Sequence, residues 1–288
     1  MAGHEASGCY AVAYHWDHSS DAGRHRILSM NSGAFITGTD TGVGKTVVTA
    51  ALARHLSHRG IDVGVMKPVE TGVASPSFLS CDAFRLKVAA ASHEKLAVIC
   101  PYCFRAPVAP LAASRLERKP IRLSAILSAF RALRTRHAVP LVEGVGGIYV
   151  PLTTSHDVLD LMQEMKLPVI VVGRTGLGGI NHARLTLETL RRRKIPVLAL
   201  VLNHTTESKG ATATRQARTT LALVRELAGV PIIGPLPYVG TVTRGWAQGV
   251  EILAKTAAIK QLAGLLHSSG RSGRERPVSR LAPSARRK

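Results

Sequence analysis

The chain has 288 residues, 45% hydrophobic and only 4% aromatic. It is long enough to bury a sizeable core, and its aliphatic content suits helices on a parallel sheet better than a β-sandwich. The formal net charge of +20 raises nucleic-acid binding, but Arg271, Arg274, Arg276, Arg280, Arg286, Arg287 and Lys288 crowd into the segment 268–288 beside a single acid, Glu275. That basic, Ser/Gly/Pro-rich end reads as a solvated disordered tail, so nucleic acid is not an expected partner. No run reaches the roughly 18 apolar residues of a membrane span. Four cysteines (Cys9, Cys81, Cys100 and Cys103) without an evident secretory signal point to reduced thiols in the cytoplasm.

Residues 1–32 read as a disordered N-terminal extension with no clear period. Its His15-Trp16-Asp17-His18 run lacks a second cluster to complete a metal site. A strand is predicted over Ala34–Gly38, then a Gly-rich loop and a helix carrying Val48, Leu52 and Leu56 one turn apart, with Gly60 as its stop. A second strand covers Asp62–Lys67, and residues 71–78 are loop-like. Helices are predicted at Asp82–Ala91, Leu111–Leu116 and Leu123–Arg136, with a short apolar run at Ala97–Cys100 between the first two. Next come strand Pro140–Glu143, helix Val158–Met165, strand Leu167–Gly173, helix Asn181–Lys194, strand Ile195–Asn203, helix Thr212–Leu227, a short strand Pro231–Ile233 and a final helix Glu251–Leu266. Continuous apolar strands alternating with helices predict an α/β domain over 33–267: a parallel β-sheet with helices on both faces, a P-loop NTPase-like three-layer sandwich.

Gly38-Thr-Asp-Thr-Gly42-Val43-Gly44-Lys45-Thr46 lies between the first strand and its helix, the context in which a P-loop match has meaning. Glycines let backbone N–H groups surround phosphate oxygens, and the helix N-terminus adds partial positive charge. Lys45 would reach the outer phosphates and Thr46 would ligate Mg²⁺. The spacing departs from the usual one, with five residues between Gly38 and Gly44.

In such sheets the ligand lies outside the carboxyl ends of the strands. Lys67, Glu143, Gly173–Gly179 and Asn203 all stand at the carboxyl ends of predicted strands or just past them and would converge there with the loop. Glu143 suits an acid supporting Mg²⁺. On position alone, Asp82 serves equally as a second such acid or as a helix cap, Lys67 as a site cation or a solvated charge, and Asn203 as a ligand or a turn residue.

At these residues the chain resembles the dethiobiotin synthetases, P-loop carboxylases of biotin biosynthesis. Four segments carry the resemblance in order: the loop Gly38–Thr46 with its five-residue spacing, Lys67-Pro-Val-Glu-Thr-Gly72, Val142-Glu-Gly-Val-Gly-Gly147, and Arg174-Thr-Gly-Leu-Gly-Gly-Ile-Asn-His182. The resemblance implies an ATP- and Mg²⁺-dependent cyclo-ligase. One amine of 7,8-diaminononanoate takes up CO₂ as a carbamate, the carbamate attacks the γ-phosphate of ATP, and the second amine closes the ring. It implies that Lys45 and Lys67 are catalytic and that Gly42, Val43, Gly44, Lys45 and Thr46 hold phosphates. Asn203, Pro235, Leu236 and Pro237 would face adenine. Thr41, Thr71, Gly146, Gly178, Gly179 and Asn181 would contact substrate, and Thr46, Asp82 and Glu143 would serve Mg²⁺. It further implies a homodimer, with the helix start at Gly178–Asn181 receiving the substrate carboxylate from the neighbouring subunit. Two departures stand out. Gly42 replaces a Glu found in some members, and Ala109 and Leu111 replace polar residues of a Pro-x-Ser-Pro-His pattern.

The residues oppose two rival readings. Cys100-Pro-Tyr-Cys103 resembles a dithiol redox motif, but that chemistry needs its first Cys at a helix N-terminus, and the following Phe-Arg-Ala-Pro-Val-Ala-Pro opposes one. A partitioning ATPase of the ParA/MinD type would share the fold and act as a DNA- or surface-binding switch. Lys67-Pro68-Val69 and Ile180-Asn181-His182 argue against it.

Overall fold

The structure is a computed structural model that describes residues 33–73, 81–207, 210–240, 242 and 245–269. The predicted N-terminal extension and nearly all of the basic tail lie outside the described residues, as does most of the 71–78 loop.

Strand β1 (Ala34–Gly38) is buried along its whole length, as its unbroken apolar run requires of a central parallel strand. The main sheet also contains β2 (Val63–Met66), β5 (Val139–Glu143), β6 (Val169–Arg174), β7 (Val197–Asn203) and β8 (Ile232–Leu236). Its order is β2-β5-β1-β6-β7-β8, and every pairing is parallel. The chain leaves β1 toward β2 on one side and returns past β1 from β5 to β6 on the other. The reversal of strand order therefore falls at β1, where a crevice opens at the carboxyl edge.

One face of the sheet is covered by α1 (Lys45–Ser57), α2 (Asp82–Ala89), α9 (Trp246–Ala254) and α10 (Ala257–Ser269). The other is covered by α5 (Leu123–Arg136), α6 (Val158–Met165), α7 (Gly179–Arg192) and α8 (Ala211–Leu227). Side chains of β1 alternate between the two cores: Ala34 and Ile36 pack on the α1 side, Phe35 on the other. This is the period of two expected of a strand. Helix α6 begins with a reciprocal cap, in which Asp157 accepts from the Asp160 N–H and Asp160 accepts from the Asp157 N–H.

Two predicted features are corrected, the final helix and the end of the last strand, and two are added. The final helix is two helices, interrupted at Lys255-Thr256, because the Thr256 hydroxyl bonds the Leu253 carbonyl (2.7 Å) and accepts from the Ile259 N–H (3.4 Å). Such local side-chain bonding favours a cap over a helix interior. The run at 97–100 belongs to a short helix, α3 (Leu96–Ile99). Strand β8 continues through Leu236, past the predicted end at Ile233. A two-stranded sheet of β3 (Val69–Glu70) and β4 (Tyr102–Cys103) was not foreseen, since two-residue strands leave no periodic signal. Helix α4 (Pro110–Leu116) falls where expected, with Pro110 in the first turn.

Candidate active site

The loop after β1 turns through Gly42 (φ 74°) and Gly44 (φ 96°), a left-handed geometry that glycine adopts without steric cost. Gly44 is required twice over: a Cβ there would meet the Asn203 side-chain nitrogen at 2.2 Å. Helix α1 has no side-chain cap and no acid in its first turn. Its leading N–H groups are therefore open to an anion. Lys45 is buried and folds back to donate to the Asp40 carbonyl (2.9 Å). Burial, reinforced by the nearby Lys67 ammonium, lowers its pKa to about 8.

The ends of β2 and β5 deliver the charged groups. Lys67 Nζ donates to Glu143 Oε1 (2.5 Å), to Asp82 Oδ2 (3.1 Å) and, more weakly, to the Gly144 carbonyl (3.4 Å). The Thr46 hydroxyl donates to the same Glu143 oxygen at 2.7 Å. Burial alone would depress the Lys67 ammonium, but the attraction of Glu143 and Asp82 outweighs it and holds Lys67 above its ordinary range. Burial pushes Glu143 up, and Lys67 pulls it back only in part. For Asp82 the balance runs the other way: burial is outweighed by Lys67 and Thr46, and its pKa is lowered. These opposed environments make Lys67 a fixed cation, not a base.

Asp82 is the first residue of α2 rather than its cap. The cap is Cys81, whose sulfur accepts from the Phe84 N–H (3.4 Å). Glu70 supplies the second anchor, accepting from the Asp82 N–H (2.6 Å) and the Ala83 N–H (3.0 Å). A carboxylate at a helix N-terminus is electrostatically favoured there. It fixes the turn that presents Asp82 to Lys67.

A cleft of about 360 Å³ collects most of the predicted residues: Thr41, Gly42, Gly44, Lys45, Thr46, Lys67, Thr71, Asp82, Glu143 and Gly146. Glu70, Arg85 and Trp246 also line it and were missed. Glu70 sits inside a quoted motif, and Arg85 follows Asp82 by one helical turn, a spacing that could have flagged it. Nothing in the sequence near Trp246 places it at β1. Asn203 is buried and donates to the Val43 carbonyl (3.1 Å), so it braces the loop from behind. Pairing of β7 with β8 sets Asn203 opposite Leu236. The Leu236 side chain is in the core, leaving main chain and the flanking prolines for any ligand contact. Gly178 and Asn181 line a separate groove of about 770 Å³ between α7 and α8. It shares no lining residue with the P-loop cleft. Within one chain, then, the helix-start residues are not brought to the phosphate loop.

Among the described residues no group of three or more His, Cys, Asp or Glu gathers. However, Glu143 Oε2 is buried without a hydrogen-bond partner among the described residues, on the carboxylate that the Thr46 hydroxyl and Lys67 engage through Oε1. Few protein oxygens, all hard, suit Mg²⁺, which keeps several waters and borrows phosphate oxygens. The residues present fit that ion.

A parallel sheet with its reversal at β1, a glycine loop opening an uncapped helix, and a Lys-Thr pair against a strand-end acid define a P-loop NTPase. The comparisons with known proteins agree. A protein-family profile described as an AAA domain matches residues 32–245. The chain is 49% identical over 175 residues to the ATP-dependent dethiobiotin synthetase BioD of Anaeromyxobacter dehalogenans strain 2CP-C, covering 60% of this chain and 77% of that protein. It is 41% identical over 218 residues to the protein of that name from Thermodesulfovibrio yellowstonii, covering 73% and 90%. Among solved structures, apo McdA from Cyanthece aligns over 83% of this chain and 98% of its own, with a TM-score of 0.50 and 11% identity, a likeness of fold alone. The chain belongs to the ATP-dependent dethiobiotin synthetase family, enzymes of the ligase class.

Proposed function

We propose that the protein catalyses the ATP- and Mg²⁺-dependent carboxylation and ring closure of 7,8-diaminononanoate with CO₂, giving dethiobiotin, ADP and phosphate. The observation that carries this reading is the convergence of Lys45, Thr46, Lys67, Asp82 and Glu143 on one edge of the sheet. The reaction builds negative charge on carbamate and phosphoryl oxygens, so it calls for fixed cations and N–H dipoles. Lys67, held charged by its two carboxylates, holds the carbamate oxygen near the phosphoryl group. Lys45 and the first-turn N–H groups of α1 bind the outer phosphates. Thr46, Asp82 and Glu143 would hold Mg²⁺, directly or through water. When bound, Mg²⁺ supplies charge neutralisation at the phosphoryl oxygens. Thr41 and Gly146, which lie side by side, and Thr71 contact the diamine or its carbamate.

We further infer a homodimer, in which the α7 start at Gly178, Gly179 and Asn181 receives the substrate carboxylate bound in the partner's cleft. The open groove beside that helix start, with Leu177 85% and Leu185 61% exposed, supports this reading. A cytoplasmic location fits the free thiols of Cys81, Cys100 and Cys103 and the finding that no described helix is long and apolar enough to cross a membrane.

The test is phosphate release from MgATP with and without 7,8-diaminononanoate and bicarbonate, with dethiobiotin followed by mass. Release that requires the diamine and yields dethiobiotin is expected. Hydrolysis stimulated by DNA and indifferent to the diamine would sink the proposal.

A further inference from the structure

Arg85 and Trp246 come from different elements, α2 and the first residue of α9, and both line the P-loop cleft. The Arg85 guanidinium lies over the Trp246 indole, with its carbon 4.5 Å from the ring centroid. That is well inside cation–π range. Stacking covers one face of the guanidinium and leaves its planar fork of N–H donors at the edge. The nearest carboxylate oxygen, Asp82 Oδ1, is 3.8 Å from Arg85 Nη1, beyond hydrogen-bond reach. Arg85 is also only about one-third exposed, so the cation is held at the cleft wall and not released into solvent.

The charge inventory of the cleft shows what this cation could do. Lys67 is matched by Glu143 and Asp82, and Glu70 is engaged by the first N–H groups of α2. Lys45 is the remaining lysine, and burial weakens its hold on its proton. A nucleotide brings several negative charges to this wall. A stacked guanidinium whose donor edge no described residue fills is the geometry that binds phosphate oxygens in pairs. Val47, in the first turn of α1, lines the same cleft.

We propose that Arg85 is a phosphate-binding residue of the nucleotide cleft and that Trp246 is its positioning residue, holding the guanidinium flat so that its edge meets the bound nucleotide. This rests on the reading of the cleft as the nucleotide site.

The test measures the dissociation constant of MgADP by calorimetry on the full chain, for wild type, Arg85→Ala, Arg85→Lys, Trp246→Leu, Trp246→Phe and the Arg85→Ala/Trp246→Leu double variant. Loss of the bidentate contact in Arg85→Ala should weaken binding about tenfold. Arg85→Lys should recover only part of the loss, since an ammonium lacks the planar fork. Trp246→Leu should weaken binding and Trp246→Phe should restore it. The double variant should bind no more weakly than Arg85→Ala alone, because the tryptophan acts through the arginine. In a Trp16→Phe background Trp246 is the remaining tryptophan, and its fluorescence should change on MgADP addition and lose that change in Arg85→Ala. Melting without nucleotide checks that each variant folds; should Arg85→Ala fail, Arg85→Lys carries the comparison. Wild-type affinity in both arginine variants would overturn the proposal. Losses that add in the double variant would overturn the role given to Trp246. Failure of the wild-type protein to bind MgADP would instead overturn the nucleotide reading of the cleft.

Discussion

Lys67 and Glu143 form a buried ion pair across the ends of adjacent strands β2 and β5, Nζ to Oε1 at 2.5 Å, with side-chain exposures of 4% and 0%. The pair is an expensive arrangement for stability alone, because two charges leave water and one carboxylate oxygen stays without a partner. Its persistence at the mouth of a phosphate loop accords with a site in which the carboxylate is shared between a lysine and a cation.

Removing one member should therefore be costly. Lys67→Met leaves Glu143 buried and uncompensated, and a loss of about 3–5 kcal/mol in unfolding free energy is expected. The double variant Lys67→Met/Glu143→Leu should regain much of it, since an apolar pair of similar volume escapes the desolvation cost. Urea titration of the three proteins checks this. A Lys67→Met protein as stable as wild type would mean that Glu143 takes up a proton at little cost.

Lys45 should couple nucleotide binding to pH. Its pKa of about 8 in the folded chain lies below the ordinary 10.5. Between those values the unfolded chain binds the extra proton, so this group makes stability rise with pH through that window. Below about pH 8 both states are protonated and the cost of burying the charge is present in full. A phosphate group reverses the preference by favouring the ammonium. MgADP binding above about pH 8 should then draw in a proton and weaken as pH rises. Calorimetry in buffers of different ionisation enthalpy measures that proton, and Lys45→Gln should abolish it. An unchanged proton uptake in Lys45→Gln would assign the titration to another group.

Gly44→Ala tests the loop with a single methyl group. Its backbone is left-handed and the new Cβ would lie 2.2 Å from the Asn203 amide nitrogen. Asn203 would lose its bond to the Val43 carbonyl, and strain of about 1–3 kcal/mol is expected. Nucleotide affinity should fall further than stability, because the displaced loop is the anion cradle. Gly42 is equally left-handed but faces open space, so Gly42→Ala should cost less affinity. Equal losses at the two positions would mean that backbone strain, and not the Asn203 contact, governs the loop.

The sequence made the main sheet and the charged core of the site legible for one reason: buried parallel strands are continuous apolar runs, and the chemistry sits at their ends. The predicted bounds of Ala34–Gly38 and Val158–Met165 agree with the structure to the residue, and Lys67 and Glu143 are legible at the ends of their strands. What escaped has no periodic or strand-end signature. The β3–β4 pairing depends on the Tyr102 N–H meeting the Pro68 carbonyl and the Phe104 N–H meeting the Glu70 carbonyl, contacts set by tertiary folding. Trp246 comes to the cleft because α9 packs on α1. The break at Lys255-Thr256 lies inside an apolar pattern that a single helix would satisfy equally well.

Cys100 and Cys103 should prove dispensable for the reaction. Cys100 follows the short helix α3 instead of opening a helix. The interaction between the two thiols, reinforced by burial, raises Cys100, and the same interaction lowers Cys103 against the burial that would raise it. That pattern ties the two thiols to each other, and neither of them lines the P-loop cleft. Replacing both by Ala should leave turnover nearly unchanged while lowering the melting temperature, because Cys100 is in the core. Loss of turnover in a protein that still folds and binds MgADP would give the thiols a part in the chemistry.

A substitution in the α7–α8 groove should separate nucleotide binding from turnover. Leu185 is exposed on the helix whose start carries Gly178 and Asn181, and the groove it lines shares no residue with the P-loop cleft. Leu185→Glu should change monomer stability by no more than about 0.5 kcal/mol, as a surface substitution does. In a dimer built on this face, however, the substitution places a carboxylate in an apolar contact, against the partner's copy of the same charge, which should drive the protein to monomer. MgADP affinity should persist, because the phosphate loop and its cations belong to one chain. Diamine-dependent turnover should collapse, because the helix start that receives the substrate carboxylate would no longer be supplied by the partner. Light scattering, MgADP calorimetry and the phosphate-release assay on the same preparation decide the matter. A monomer with full turnover would show that each chain completes its own substrate site. A dimer unaffected by Leu185→Glu would place the interface on another face.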